Sequence, residues 1–152
     1  MTDNIPLVVA YRLTGVGFTK SAKWLKTSLK LNEDGRPIGL DAIPLYFLAS
    51  HSAELFLKAA LLKRGFNELE LKKYDYRHNL CSLLFELQNK GVAVTDETVA
   101  TISGLSEQHK NHALRYTVLL DDGNKTFWPP LFLIFSMLEE LLGLTAISTQ
   151  GI

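Results

Sequence analysis

The stretch from Asp41 to Arg64 limits the fold more than any other part of the chain, because it is apolar on nearly every side. At 3.6 residues per turn, Leu45, Phe47, Leu48, Leu55, Phe56, Leu57, Leu61 and Leu62 cannot share one face. A helix built from them needs neighbours all round, so it is the central member of a helical assembly. Asp41 suits its N-cap, and Pro44 falls in the first turn, where a missing amide hydrogen does no harm. Gly65 follows Arg64 as a C-terminal stop, and Gly91 does the same after Lys90. Into this apolar helix are set His51, Glu54 and Lys58, spaced i, i+3 and i+7 on one stripe. Ionisable groups in such surroundings are unfavourable unless each has a partner. One reading is an intrahelical Glu54–Lys58 pair beside a structural His51, with the lysine stem reaching water. The other is a ligand site.

Elsewhere the apolar spacing is also helical. Phe18 to Leu31 carries Ala22, Leu25 and Leu29 with lysines opposite, and His78 to Lys90 carries Leu80, Leu83, Leu84 and Leu87. A further helix opens at Thr95-Asp96-Glu97-Thr98 and runs to about Tyr116. Thr98 stands where a capping box wants Glu or Gln, which points to Asp96 as the cap. Trp128-Pro129-Pro130 starts a last helix that ends near Gly143. Leu7 to Tyr11 could form a short strand but reads more readily as an ordered lead-in or a helix, and the Asn32–Pro37 and Asp121–Asn124 clusters read as turns. The expected fold is all-α, a four- to five-helix up-and-down antiparallel bundle, with 1–152 one domain and its core at approximately 15–143.

Charge narrows the function classes. Sixteen basic and sixteen acidic residues cancel, so no bulk positive field exists to hold nucleic acid, and any such contact needs a local patch. With Cys81 the one cysteine, no intrachain disulfide forms, which fits a reducing compartment. The Met1-Thr2-Asp3-Asn4 start has no signal-peptide pattern, and the apolar Leu131–Leu144 run contains Glu139 and Glu140 and is too short to span a bilayer. The chain is therefore expected in the cytoplasm, with no membrane contact.

Two more groups of residues suit chemistry. In His109-Lys110-Asn111-His112-Ala113-Leu114-Arg115-Tyr116, the histidines continue the inward stripe of Ile102 and Leu105. His109, His112 and Arg115 there suit phosphate or base recognition, or a buried polar network that fixes packing. Tyr74-Asp75-Tyr76-Arg77-His78 leads into a helix N-terminus, where Arg77, His78 and free amides favour an anion and the tyrosines either stack a base or cover the core edge. His51-x-x-Glu54 and His109-x-x-His112 have the spacing of bundle metal ligands. A two-metal site uses more carboxylates than Glu54, even with Glu139 and Glu140, so no metal and no other cofactor is expected. Gly15-Val16-Gly17 is too short for a phosphate loop.

Three segments resemble a HEPN domain: Ala49-Ser50-His51-Ser52-Ala53-Glu54-Leu55-Phe56-Leu57-Lys58-Ala59-Ala60-Leu61-Leu62 with Gly65, then His78-Asn79-Leu80, then His112-Ala113-Leu114-Arg115-Tyr116. The resemblance covers approximately residues 40 to 142, in order. It implies a helical bundle that dimerises, with polar residues near the dimer cleft, in prokaryotic nucleotide-linked or RNA-targeting systems such as toxin–antitoxin and phage defence. A nucleotidyltransferase or an antitoxin is the partner such a module implies. Many members are metal-independent endoribonucleases with an Arg, four to six residues, then a His. No arginine here has a histidine at that distance; His109 and His112 precede Arg115 instead. The leading expectation is a nucleotide- or RNA-binding module that is non-catalytic or weakly catalytic. It uses His51, Glu54, Lys58, Arg77, His78 and Tyr116. The alternatives are an endoribonuclease built on His109, His112 and Arg115, and a structural homodimer that packs through its last helix.

Overall fold

A computed structural model describes residues 5–39, 42–73, 76–110 and 128–147, the side chains at 107, 108 and 110 aside. The described chain is helical and contains no strand, only one isolated bridge between Leu31 and Pro37. Among the described residues six helices follow one another: α1 (Ile5–Lys26), α2 (Ala42–Lys63), the single turn α3 (Glu68–Leu71), α4 (Leu80–Asn89), α5 (Asp96–Lys110) and α6 (Leu131–Leu144). The expected N-cap Asp41 and the second turn cluster, Asp121–Asn124, lie outside the described residues.

As its all-round apolarity requires, α2 is the hub. It packs on α1, α4, α5 and α6, and these four are joined in turn, α1 to α6, α6 to α5 and α5 to α4. Leu45, Phe56, Leu57 and Leu61 of α2 are fully buried against Leu80, Leu83, Leu87, Ile102, Leu105 and Ile134 from around it. Each such side chain contributes about 1.5–3 kcal/mol by leaving water. By length and composition α2 is apolar enough to cross a membrane, but most of that surface is buried inside the protein.

The first helix starts earlier than the Phe18–Leu31 spacing indicates, at Ile5, and takes in the Leu7–Tyr11 segment, so of the readings open for that segment the helix holds and the strand does not. Two helix-weakening glycines, Gly15 and Gly17, hide it in the sequence. Gly15 is where α1 presses on α2: a Cβ there would stand 2.6 Å from Phe56 Cε1. Ser52 Oγ of α2 donates to Gly15 O at 2.7 Å and meets Thr19 Oγ1 at 2.6 Å. Tertiary packing thus overrides the local propensity, and the Gly15-Val16-Gly17 run is a helix crossing.

Helix ends follow sequence logic in part. Gly65 and Gly91 take the left-handed conformation, with φ of 99° and 84°, as C-terminal stops. Asn67 and Glu70 form a reciprocal capping box on α3 that the apolar periodicity does not reveal. The cap of α5 is Thr95 rather than Asp96: Thr95 Oγ1 accepts from Thr98 N at 3.3 Å. The glutamate missing from that box comes from another helix. Glu140 of α6 accepts from Thr95 N, Thr95 Oγ1 and Thr98 Oγ1, each at 2.8 Å. The Asn32–Pro37 turn docks on the start of α6, where Arg36 Nε donates to Trp128 O at 2.6 Å and Leu131 N to Gly35 O at 3.1 Å. Tyr46 stacks on Trp128 and donates its hydroxyl to Pro129 O at 2.7 Å, and burial raises its pKa.

Candidate functional site

Glu54 sits in the middle of α2 and is buried, so its carboxylate has lost water on every side. Four donors replace that water. Oε1 accepts from Lys58 Nζ at 3.0 Å, one turn along the same helix, and from the backbone amide of His78 at 3.1 Å. Oε2 accepts from His109 Nε2 at 2.9 Å, and His78 Nδ1 lies 3.2 Å from it. A carboxylate offers about four lone-pair positions, so this one is saturated.

Each donor is positioned by its own element. Lys58 reaches Glu54 because i and i+4 overlie one another on a helix. His109 continues the buried face of α5 after Ile102 and Leu105. His78 is the unusual case. The spacing places it in the third helix, but that helix starts at Leu80, with Asn79 as N-cap accepting from Ser82 N at 3.1 Å. His78 precedes the cap with φ of 56°, the only non-glycine residue with positive φ among those described. A side chain there costs about 1–2 kcal/mol. That conformation turns both its amide and its ring toward Glu54, and the bonds they make offset the strain. The His78-Asn79-Leu80 triplet therefore divides its labour: a carboxylate ligand, a helix cap and a core side chain.

Burial alone would raise the pKa of Glu54. The hydrogen bond from His109, the nearby His51 and the Lys58 charge outweigh it and hold the group well below the ordinary carboxylate range. Glu54 is thus a fixed anion, not a proton donor. Because an ionised carboxylate only accepts, the Nε2 atom of His109 carries a hydrogen.

His51 is the fourth basic side chain and finds no place left. Its Nδ1 lies 3.6 Å from Glu54 Oε2, too far for a hydrogen bond, and this buried atom has no hydrogen-bond partner. The ring is held by aromatics instead, edge-on to Phe18 of α1 at 4.7 Å and parallel to Phe47 at 6.1 Å. The cluster is open on one side. The side chains of His51, Lys58 and His78 are 27%, 16% and 25% exposed, while Glu54 and His109 are each 2% exposed.

The structure therefore brings together His51, Glu54, Lys58, His78 and His109, from α2, the approach to α4 and the end of α5. Arg77 is exposed, and among the described residues no bond joins it to Glu54. His112, Arg115 and Tyr116 lie outside the described residues. Glu139 and Glu140 are elsewhere: Glu139 lines a cleft between α1 and α6, and Glu140 caps α5. The sequence alone does not reveal Phe18 as a wall of the site, since it belongs to a different helix.

The chain matches no family model, no curated protein and no solved structure. A buried carboxylate ringed by basic groups can orient an imidazole, hold positive groups at a surface, or share a cation with its neighbours. It cannot act as a general acid while held ionised.

Proposed function

We propose that the chain is a cytoplasmic HEPN-like module that binds a nucleotide or a short RNA segment at the open edge of the Glu54 cluster, without cleaving it. The observation that carries this reading is the imbalance around Glu54: one carboxylate faces a lysine and three imidazoles, and three of those four basic side chains reach water. Such an edge suits phosphate oxygens, and exposed Arg77 adds a bidentate donor beside His78. Phe18 and Phe47 beside His51 offer apolar surface for a base. Chain-wide neutrality fits a local patch rather than a general nucleic-acid field.

The absence of cleavage is argued from the same groups. Glu54 has no vacant lone pair, and buried His109 already commits its Nε2–H to Glu54. Titrating labelled nucleotides and short RNAs, in the presence of a metal chelator, tests the proposal. Binding that weakens in Lys58→Ala and Arg115→Ala supports it; binding of none of these ligands overturns it.

A specific observation favours the endoribonuclease alternative: Glu54 orients His109 as a carboxylate orients a general base. In that reading His109 or His112 takes the 2′-hydroxyl proton and Arg115 stabilises the phosphate charge. Intact labelled RNA after incubation in chelator removes it, and cleavage lost in His112→Ala establishes it. The HEPN resemblance adds a homodimer, with a nucleotidyltransferase or antitoxin as a further partner. Phe132, 65% exposed on α6 beside buried Leu131 and Ile134, supports a helix shared between its own core and a second copy. Light scattering that shows a concentration-independent monomer ends that part.

A further inference from the structure

Beyond the nucleotide reading and independent of it, we propose that His51 Nδ1, Glu54 Oε2 and His109 Nε2 form a site for a single zinc ion. The three atoms lie within 4.8 Å of one another. Oε2 is 2.9 Å from His109 Nε2 and 3.6 Å from His51 Nδ1. Zinc–ligand bonds of about 2.0–2.2 Å at tetrahedral angles put neighbouring ligand atoms about 3.3–3.5 Å apart. One separation must open slightly and the widest must close, changes that small rotations of the two rings supply.

The decisive feature is the unsatisfied nitrogen of His51. It faces a carboxylate oxygen whose acceptor positions are already taken, in a buried spot without another partner. A cation placed between them gives both atoms a ligand bond that a fifth hydrogen bond to the carboxylate does not provide. Two imidazoles and one carboxylate are the donor set of many zinc centres with an open fourth position, and imidazole favours zinc over magnesium or calcium. The shortage of acids that argues against a two-metal carboxylate site is no obstacle to a single ion.

The outer shell is in place as well. Oε1 stays tied to the His78 amide, which fixes the carboxylate plane. Loading has two consequences for the chain. On loading, the hydrogen on His109 Nε2 is lost to water and Nδ1 carries the single hydrogen of the neutral ligand, taken up from solvent if it was not already there. Lys58, bonded to Oε1 at 3.0 Å, is repelled by the ion, and its flexible stem carries the ammonium to solvent.

The test uses the full chain stripped of metal by a chelator. Zinc is titrated in competition with a chromophoric chelator, and cobalt(II) is added separately as a spectroscopic probe. One ion per chain is expected, with the visible bands of tetrahedral cobalt. His51→Phe preserves the packing on Phe18 and Phe47 and removes the ligand, so affinity falls by at least about tenfold and the bands vanish. Lys58→Met keeps all three ligands, removes a neighbouring positive charge and binds zinc more tightly than wild type. Failure of wild type to retain zinc overturns the proposal. So does equal affinity in a His51→Phe protein whose circular dichroism shows it folded, or binding by Lys58→Met no tighter than wild type.

Discussion

Two carboxylates on different helices of this protein hold other segments in place, and they do so with opposite kinds of partner. Glu140 on α6 takes three hydrogen bonds from neutral donors, one amide and two threonine hydroxyls, all at the start of α5. Glu54 on α2 takes its bonds from a lysine, two imidazoles and one amide, with a third imidazole waiting at 3.6 Å. The Glu140 arrangement is a helix cap completed from outside, and each of its polar atoms is accounted for. The Glu54 arrangement has more basic groups than one carboxylate can satisfy. Both carboxylates tie helices together, and the surplus of basic groups at Glu54 is the physical reason for proposing a binding role there and not at Glu140.

The largest effect expected is from Glu54→Ala. It strands the buried His109 Nε2–H and the His78 amide and removes the return on the strained His78 backbone, a loss of about 3–5 kcal/mol in urea unfolding. A loss under about 1 kcal/mol would show that the cluster is not a folding element.

Acid separates the two carboxylates next. Both have pKa values held below the ordinary 4.5 in the folded chain. For Glu54, burial pushes upward and the His109 bond, His51 and Lys58 pull down harder; for Glu140, burial pushes upward and the bonds from Thr95 and Thr98 pull down. The folded state thus binds fewer protons than the unfolded one, so the stability from each is fully present above the ordinary value and drains away as pH falls below it. Glu54→Gln should flatten the fall in urea midpoint between pH 7 and about pH 3, and Glu140→Gln should flatten it less. Equal flattening in the two variants would mean that the two carboxylates do not differ in their coupling to folding.

Glu140→Ala is expected to cost about 1–2 kcal/mol, because Thr95 is at the surface and water replaces part of what it loses. Amide exchange should quicken in the first turn of α5 and not around His78. A change that spreads to His78 would mean that the two carboxylates are energetically one system.

Much of this was legible in the residues. The all-round apolarity of α2 makes it the hub, and the i, i+4 spacing of Glu54 and Lys58 makes their pair. The stripe Ile102, Leu105, His109 points inward as its spacing requires. What was not legible depends on contacts between elements. The length of α1 is hidden by Gly15, whose reason for being there is Phe56 of another helix. The cap of α5 uses a glutamate 45 residues away, beyond any local capping motif. His78 reads as a helix residue until its left-handed backbone is seen, and no periodicity encodes that.

The smallest effect concerns His51, the basic group that the saturated carboxylate leaves over. Its Nδ1 makes no hydrogen bond, and its ring packs between Phe18 and Phe47. In metal-free buffer, His51→Phe removes the partnerless Nδ1 together with Nε2 and retains the aromatic contact, so stability should change by less than about 0.5 kcal/mol. Burying a phenyl ring in place of an orphaned nitrogen gives that small change a stabilising sign. A loss above about 1 kcal/mol would mean that His51 belongs to the inner bonding set of Glu54, and the surplus that separates this carboxylate from Glu140 would disappear.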